Sequence, residues 1–419
     1  SRNYHGLVRF FTPSMGMLST QDINPRKEFL DMRAWKNRVI APLLALLLLP
    51  LGCAASAAPL EEGVPLEITS PSAMLLEADT GTVIFEKNAD ERRQVASITK
   101  LMTLLICFEE LEAGRIALED SVTVSQAAAS QIGSQALLDP GAVYPLKDLL
   151  RSTIIASAND AACALAEQIS GTEAAFAALM NVRAAELGMK DTVFLNCTGL
   201  PVDGQYTTAR DVALLSCEIC RHSEYFRYAC IWMDKLIHPS KRVTELTNTN
   251  RLVRFYEGCD GLKTGSADAS KYCLSATAMK NGMRLIAIVL GTPNSQVRFN
   301  EARAMLDYGF SGYKRVQILQ KGERLNMRVP VKLGMTEEVE AAVGTGLSML
   351  LKLGQEKQLA LEVQLPEEVQ APIAAGDVLG MVRVKLGERV IAKLPAVAAE
   401  DVGMPGLLEG FFRLAQNWR

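Results

Sequence analysis

Ala96-Ser97-Ile98-Thr99-Lys100-Leu101-Met102-Thr103-Leu104-Leu105-Ile106 sets a serine and a lysine three residues apart at the head of an apolar run. If Ser97 opens a helix, Lys100 lies one turn on and on the same face. A serine hydroxyl is a poor nucleophile until a neighbouring group takes its proton. A lysine amine can do so if burial and other cations keep it neutral part of the time. Two later motifs complete a serine acyl-transfer pattern: Ser157-Ala158-Asn159, in a polar break between two helix-like stretches, and Lys263-Thr264-Gly265, ahead of a β-rich hairpin. Lys263 is the natural cation to depress Lys100 and is expected on an edge strand facing a cleft. Each motif alone is a common helix cap or turn. Their order, spacing and context together point to a site. The three histidines, His5, His222 and His238, have no triad context and no zinc-ligand spacing, so neither metal nor cofactor is called for.

With those motifs and the stretches Thr207-Thr208-Ala209-Arg210-Asp211, Asn248-Thr249-Asn250-Arg251-Leu252 and Met283-Arg284-Leu285-Ile286-Ala287, the chain resembles the low-molecular-mass penicillin-binding proteins, the serine-type D-alanyl-D-alanine carboxypeptidases of peptidase family S11. The likeness runs over about residues 73–310, more faintly beyond. It implies an α+β penicillin-binding/serine β-lactamase-like transpeptidase fold, an antiparallel sheet with a helical block, followed by a small β-rich domain. It also implies that Ser97 attacks the peptidoglycan stem peptide between its two terminal D-alanines and forms an acyl-enzyme, and that β-lactam antibiotics acylate the same serine. Lys100 would take the proton and Ser157 relay one to the leaving amine. Asn159, Lys263, Thr264, Gly265, Ser266 and Arg298 would bind substrate, with Ser97 and Ser266 N–H groups as the oxyanion hole. The chain departs from the family at Lys271, where glycine is common, and at Ser266, a variable position. Both departures bear on substrate preference and deacylation.

At 419 residues with 49% hydrophobic content, the chain is long enough for two domains and sizeable cores. A net charge of −3 gives no nucleic-acid footprint. Residues 1–31 are expected to be a non-native upstream extension, 32–57 a signal peptide, 58–312 the catalytic domain, 313–402 the β-rich domain and 403–419 an amphipathic helix. The signal reading rests on Arg33, Lys36 and Arg38 before an apolar run and on the small residues Ala54-Ala55-Ser56-Ala57 after it. Lipidation of Cys53 is the lesser reading. Leu407, Leu408, Phe411, Phe412, Ala415 and Trp418 share one helical face, expected to lie on a membrane surface. Together these put the protein outside the cell, at the outer face of the bacterial cytoplasmic membrane.

Within the catalytic domain, hairpins are expected at 73–86 and 271–292, helices at 97–111, 172–187, 208–221 and 294–308, an irregular rim at 125–141, and helices on one side of the sheet. Strands at 328–332, 359–365, 378–386 and 389–394 follow. Of the nine cysteines, Cys107, Cys163, Cys217 and Cys220 sit in apolar helix-like runs and Cys273 in a strand-like one, where cysteine reads as a small hydrophobe. Cys217-x-x-Cys220 lacks a second pair to complete a zinc site. Two rivals remain open. A serine β-lactamase would need a deacylating glutamate, for which Glu173 and Glu186 are available without the usual context. A catalytically silent peptidoglycan-binding protein would not need Ser97, Lys100 and Lys263 intact.

Overall fold

The computed structural model describes residues 6–8 and 66–406. The expected signal segment, Cys53 and the tail beyond residue 406 lie outside the described residues. Among the described residues no helix is long and apolar enough to cross a membrane. They form two compact units, one ending at Arg315 and one running from Val316 and including Gly6–Val8.

The first unit is built on five antiparallel strands: β1 (Ser72–Glu77), β2 (Val83–Lys87), β3 (Cys259–Ala267), β4 (Lys271–Lys280) and β5 (Met283–Thr292), in the order β2-β1-β5-β4-β3. The β4–β5 turn is Asn281-Gly282, both at positive φ (51° and 74°), as a tight hairpin with right-handed strand twist requires. The longer helices are α1 (Lys100–Glu112), α2 (Leu146–Ile155), α3 (Asn159–Ser170), α4 (Glu173–Glu186), α5 (Ala209–Ile219) and α6 (Ser295–Gly312). The side chains of Thr172, Thr208 and Asn294 cap α4, α5 and α6 by accepting a backbone N–H three residues on.

The sequence reading placed the helices on one side of the sheet. They cover both. Met74, Leu76, Ile286, Ile288 and Leu290 join the core that includes α1, α3 and α5. Leu75 and Leu285 point the other way, under α6, where a Cβ on Gly309 would lie 2.4 Å from Leu285 Cδ1. The physical sign was in β5 itself: an unbroken apolar run from Leu285 to Leu290 belongs to a strand covered on two faces. The rim expected to be irregular contains one helical turn, Gln126–Ala129, capped by Ser125.

In the second unit the strands run in the order Leu359–Gln364, Val378–Leu386, Arg389–Ala398, Glu338–Val343, Arg324–Lys332 and Val369–Gln370. Their core holds Val329, Val339, Val363, Val382 and Val384. Glu338–Val343 and Leu347–Lys352 are strands that the sequence reading did not single out. Gly6–Val8 pairs antiparallel with Leu361, Glu362 and Val363, although residues 1–31 had been set outside the fold. An edge strand offers unpaired backbone groups that any extended segment can meet.

Candidate active site

A single 3₁₀ turn, Ala96–Thr99, carries Ser97 into α1. The turn begins at Ala96 with φ of 47°, an uncommon conformation for a residue with a side chain. Leu101, Met102, Leu104, Leu105 and Ile106 are all buried, so α1 is a central helix, covered on every side as far as Phe108. Lys100 is drawn in with it and has no exposed surface. Its Nζ donates to Ser97 Oγ at 2.9 Å and to the Thr198 carbonyl at 2.7 Å. Burial lowers its pKa to about 7, against smaller opposing effects of Cys197 and Asp160. Near neutrality a large fraction of this amine is therefore unprotonated and hydrogen-bonded to the serine.

Ser157 turns the chain between α2 and α3. It is 3% exposed and holds φ at 60°, strain of the kind that gathers at functional sites. Among the described residues its hydroxyl makes no hydrogen bond to Ser97, Lys100 or Lys263. Asn159 begins α3. Its N–H donates to Ser134 O at 2.7 Å and its Nδ2 to Ile132 O at 2.5 Å, while Oδ1 is buried without a partner. Asp160 accepts from the N–H groups of Ala136 and Leu138, at 2.9 and 3.0 Å. The second motif thus pins the 125–141 rim to α3. It also leaves one acceptor, Asn159 Oδ1, unused.

The third motif lies on β3, the edge strand. Lys263 is 1% exposed, and its Nζ donates to the Thr264 carbonyl at 3.2 Å. Burial, then the charges of Lys100 and Arg298, hold its pKa well below the usual lysine range. Thr264 Oγ1 donates to Thr249 Oγ1 at 2.7 Å. Gly265 is glycine because β3 passes against the turn before the serine: a Cβ there would lie 2.0 Å from Val95 O. Ser266 is exposed.

Arg298 is 6% exposed, in place of the solvated position an arginine early in a helix usually takes. It donates from Nη1 to Gly265 O and Cys273 O, at 3.1 and 3.2 Å, and from Nη2 to Ser295 Oγ at 3.2 Å. Burial lowers its pKa to about 10. With Trp232, Thr249, Arg251 and Phe255 it lines a cavity of about 710 Å³. Lys271, read above as a departure from the family pattern, has φ of 52°. That left-handed turn into β4 is one that glycine adopts at no steric cost.

The geometry therefore brings Ser97, Lys100 and Lys263 together, with Gly265 against the Ser97 turn and Arg298 behind Gly265. Sequence reasoning missed Thr198, Thr249 and Ile132. Thr198 and Ile132 act through backbone carbonyls, which carry no side-chain signal. The glutamates a β-lactamase reading would use are engaged elsewhere. Glu173 accepts from Cys197 N and Sγ, and Glu186 pairs with Arg183.

Residues 56–294 match the family described as D-alanyl-D-alanine carboxypeptidase, and residues 313–404 match the penicillin-binding protein 5 C-terminal domain. The chain is 38% identical to the D-alanyl-D-alanine carboxypeptidase DacF of Bacillus subtilis, over 83% of this chain and 89% of that protein. It is 35% identical to DacC of Escherichia coli, over 78% and 83% of the two chains. Penicillin-binding protein 5 of Haemophilus influenzae, a solved structure, superposes with a TM-score of 0.72 at 30% identity, covering 82% of this chain and all (100%) of that one.

Proposed function

The chain belongs to the D-alanyl-D-alanine carboxypeptidase family, and from that premise we propose that it removes the terminal D-alanine of peptidoglycan stem peptides through an acyl-enzyme on Ser97. The observation that carries this reading is the buried Lys100 amine 2.9 Å from Ser97 Oγ, with its pKa near 7. Ser97 Oγ attacks the carbonyl between the two D-alanines as its proton passes to Lys100 Nζ. Backbone N–H groups of Ser97 and Ser266 receive the oxyanion. Removing one such donor typically costs about 10²–10³ in rate. The C–N bond then breaks, and the departing D-alanine amine takes a proton relayed by Ser157. Water attacks the remaining ester and frees Ser97.

Arg298 supplies positive charge for the substrate's terminal carboxylate, and Thr264 donates to it. Lys263, pushed toward neutrality by burial, gains its charge as that carboxylate arrives, and Gly265 lets the strand close on the Ser97 turn. Asn159 Oδ1, buried and unpartnered, is available to the substrate or to Lys100. A β-lactam carbonyl is a strained counterpart of the scissile amide, so the same serine is acylated by penicillins. Residues 32–57 export the chain and the apolar face of residues 403–419 holds it at the outer face of the membrane. The support for this is the charge and hydropathy pattern of those segments.

The test is intact mass of the protein after benzylpenicillin, together with D-alanine release from a D-Ala-D-Ala peptide. One adduct and peptide turnover are expected, both lost in Ser97→Ala. An adduct that persists in that variant sinks the assignment.

A further inference from the structure

Three side chains outside the catalytic machinery converge from separate segments. Cys163 on α3, Glu173 in the first turn of α4 and Cys197 between α4 and α5 bring two sulfurs and a carboxylate oxygen within 4.8 Å of one another. Cys197 Sγ lies 3.1 Å from Glu173 Oε1, which also accepts the Cys197 N–H at 3.2 Å. On its other side Cys163 Sγ stands 3.8 Å from Glu167 Oε1 and 3.7 Å from Gln131 Nε2. Both cysteines are buried, while Glu173 is only partly covered. No other group of three or more such donors occurs among the described residues.

Sulfur and oxygen ligands of a tetrahedral zinc ion bind at about 2.3 and 2.0–2.2 Å. Donors bound at those lengths stand roughly 3.5–3.8 Å apart, within the spread seen here. Thiolates favour soft ions over calcium or magnesium. We propose that Cys163, Cys197 and Glu173 form a binding site for one thiophilic divalent cation, zinc or cadmium, with a fourth position open to water or to Glu167. Binding replaces the two thiol protons, which pass to solvent, so affinity rises with pH. The ion would tie α3 and α4 to the segment that carries Thr198, the carbonyl partner of Lys100. The site does not depend on the reaction proposed above.

Titration of the reduced full-length protein with Cd²⁺, followed by the ultraviolet thiolate-to-metal charge-transfer band, tests this. One tight equivalent per chain is expected. Cys163→Ala and Cys197→Ala should each remove about half of the band, and the double variant all of it. Each single loss should weaken binding by more than the roughly 10–100-fold typical of losing an outer-shell partner. Glu173→Gln should weaken binding while keeping the band, and Cys217→Ala with Cys220→Ala should change neither. A check that needs no substitution is thermal unfolding of the unaltered protein, whose midpoint Zn²⁺ should raise and a chelator restore. An unmoved midpoint, or a Cd²⁺ band that survives in the double variant, overturns the proposal. So does a Cys163–Cys197 disulfide that persists under mild reductant and excludes the ion.

Discussion

In the C-terminal unit Arg324 meets Glu340, Lys332 meets Glu368 and Lys385 meets Glu362, with the Arg324 and Lys332 side chains 60% and 65% exposed. In the catalytic unit Lys100 and Lys263 are buried to 0% and 1% exposure, and among the described residues neither has a carboxylate within 4.0 Å. Surface pairs of the first kind contribute about 0–1 kcal/mol each and cost little to rearrange. A buried cation without a partner costs several kcal/mol, which it avoids by losing its proton. Both buried lysines are pushed toward neutrality, Lys100 to about 7. The difference teaches where to look for chemistry: an ionisable group sits unpaired in a core only where something other than stability keeps it there.

The sharpest way to break this contrast is to exchange the lysines for methionine. Lys100→Met should cut acylation by about 10²–10⁴, the usual worth of a positioned base. Lys332→Met should leave the rate unchanged and shift stability by less than about 1 kcal/mol. Equal rate effects from the two would erase the distinction.

Glycines offer a matched pair. A Cβ on Gly265 would stand 2.0 Å from Val95 O, and one on Gly380, in the C-terminal unit, 2.1 Å from Gln364 O. Both alanine variants should lose about 1–3 kcal/mol by overpacking. Only Gly265→Ala should also slow acylation per folded molecule, because it moves β3 off the Ser97 turn. Melting curves read beside active-site titration separate the two losses.

The pH dependence of stability gives a smaller effect with a definite sign. Lys100 titrates near 7 when folded, against an ordinary 10.5, so between those values the unfolded chain holds a proton that the folded chain lacks. Stability from this group therefore rises with pH across that window. Lys100→Met should stabilise the protein most below pH 7, with the advantage fading toward pH 10. A constant difference across that range would mean that the amine is not buried as a neutral group. Least of all should activity change on deleting residues after Pro405: membrane binding is lost while a soluble D-Ala-D-Ala peptide is still cleaved. Loss of peptidase activity from folded protein would assign the tail to the domain instead.

Much of this could be read before the fold was seen, because the motifs are local. Ser97 and Lys100 are three residues apart, and Thr208, with Asp211 in the first turn, announces α5. What escaped was carried by distant contacts. Thr198 lies 98 residues from Lys100 and acts through its backbone. Gly265 looks like any strand glycine until Val95 is seen against it. Cys163 read as a small apolar residue and Cys197 carried no reading of its own; only the fold brings them together with Glu173. The second sheet face was legible in β5 but was outweighed by the expectation of a one-sided helical block.

The central claim is that Ser97 is activated by a neutral Lys100. The measurement that tests it most directly is the acylation rate of Ser97 by benzylpenicillin as a function of pH, in the wild type and in Lys100→Arg. A guanidinium stays protonated throughout this range. The wild-type rate should climb through a transition near pH 7. The arginine variant should be slower by about 10²–10⁴ and show no such transition. Wild-type kinetics in Lys100→Arg, or a flat wild-type profile from pH 5 to 9, would contradict the account.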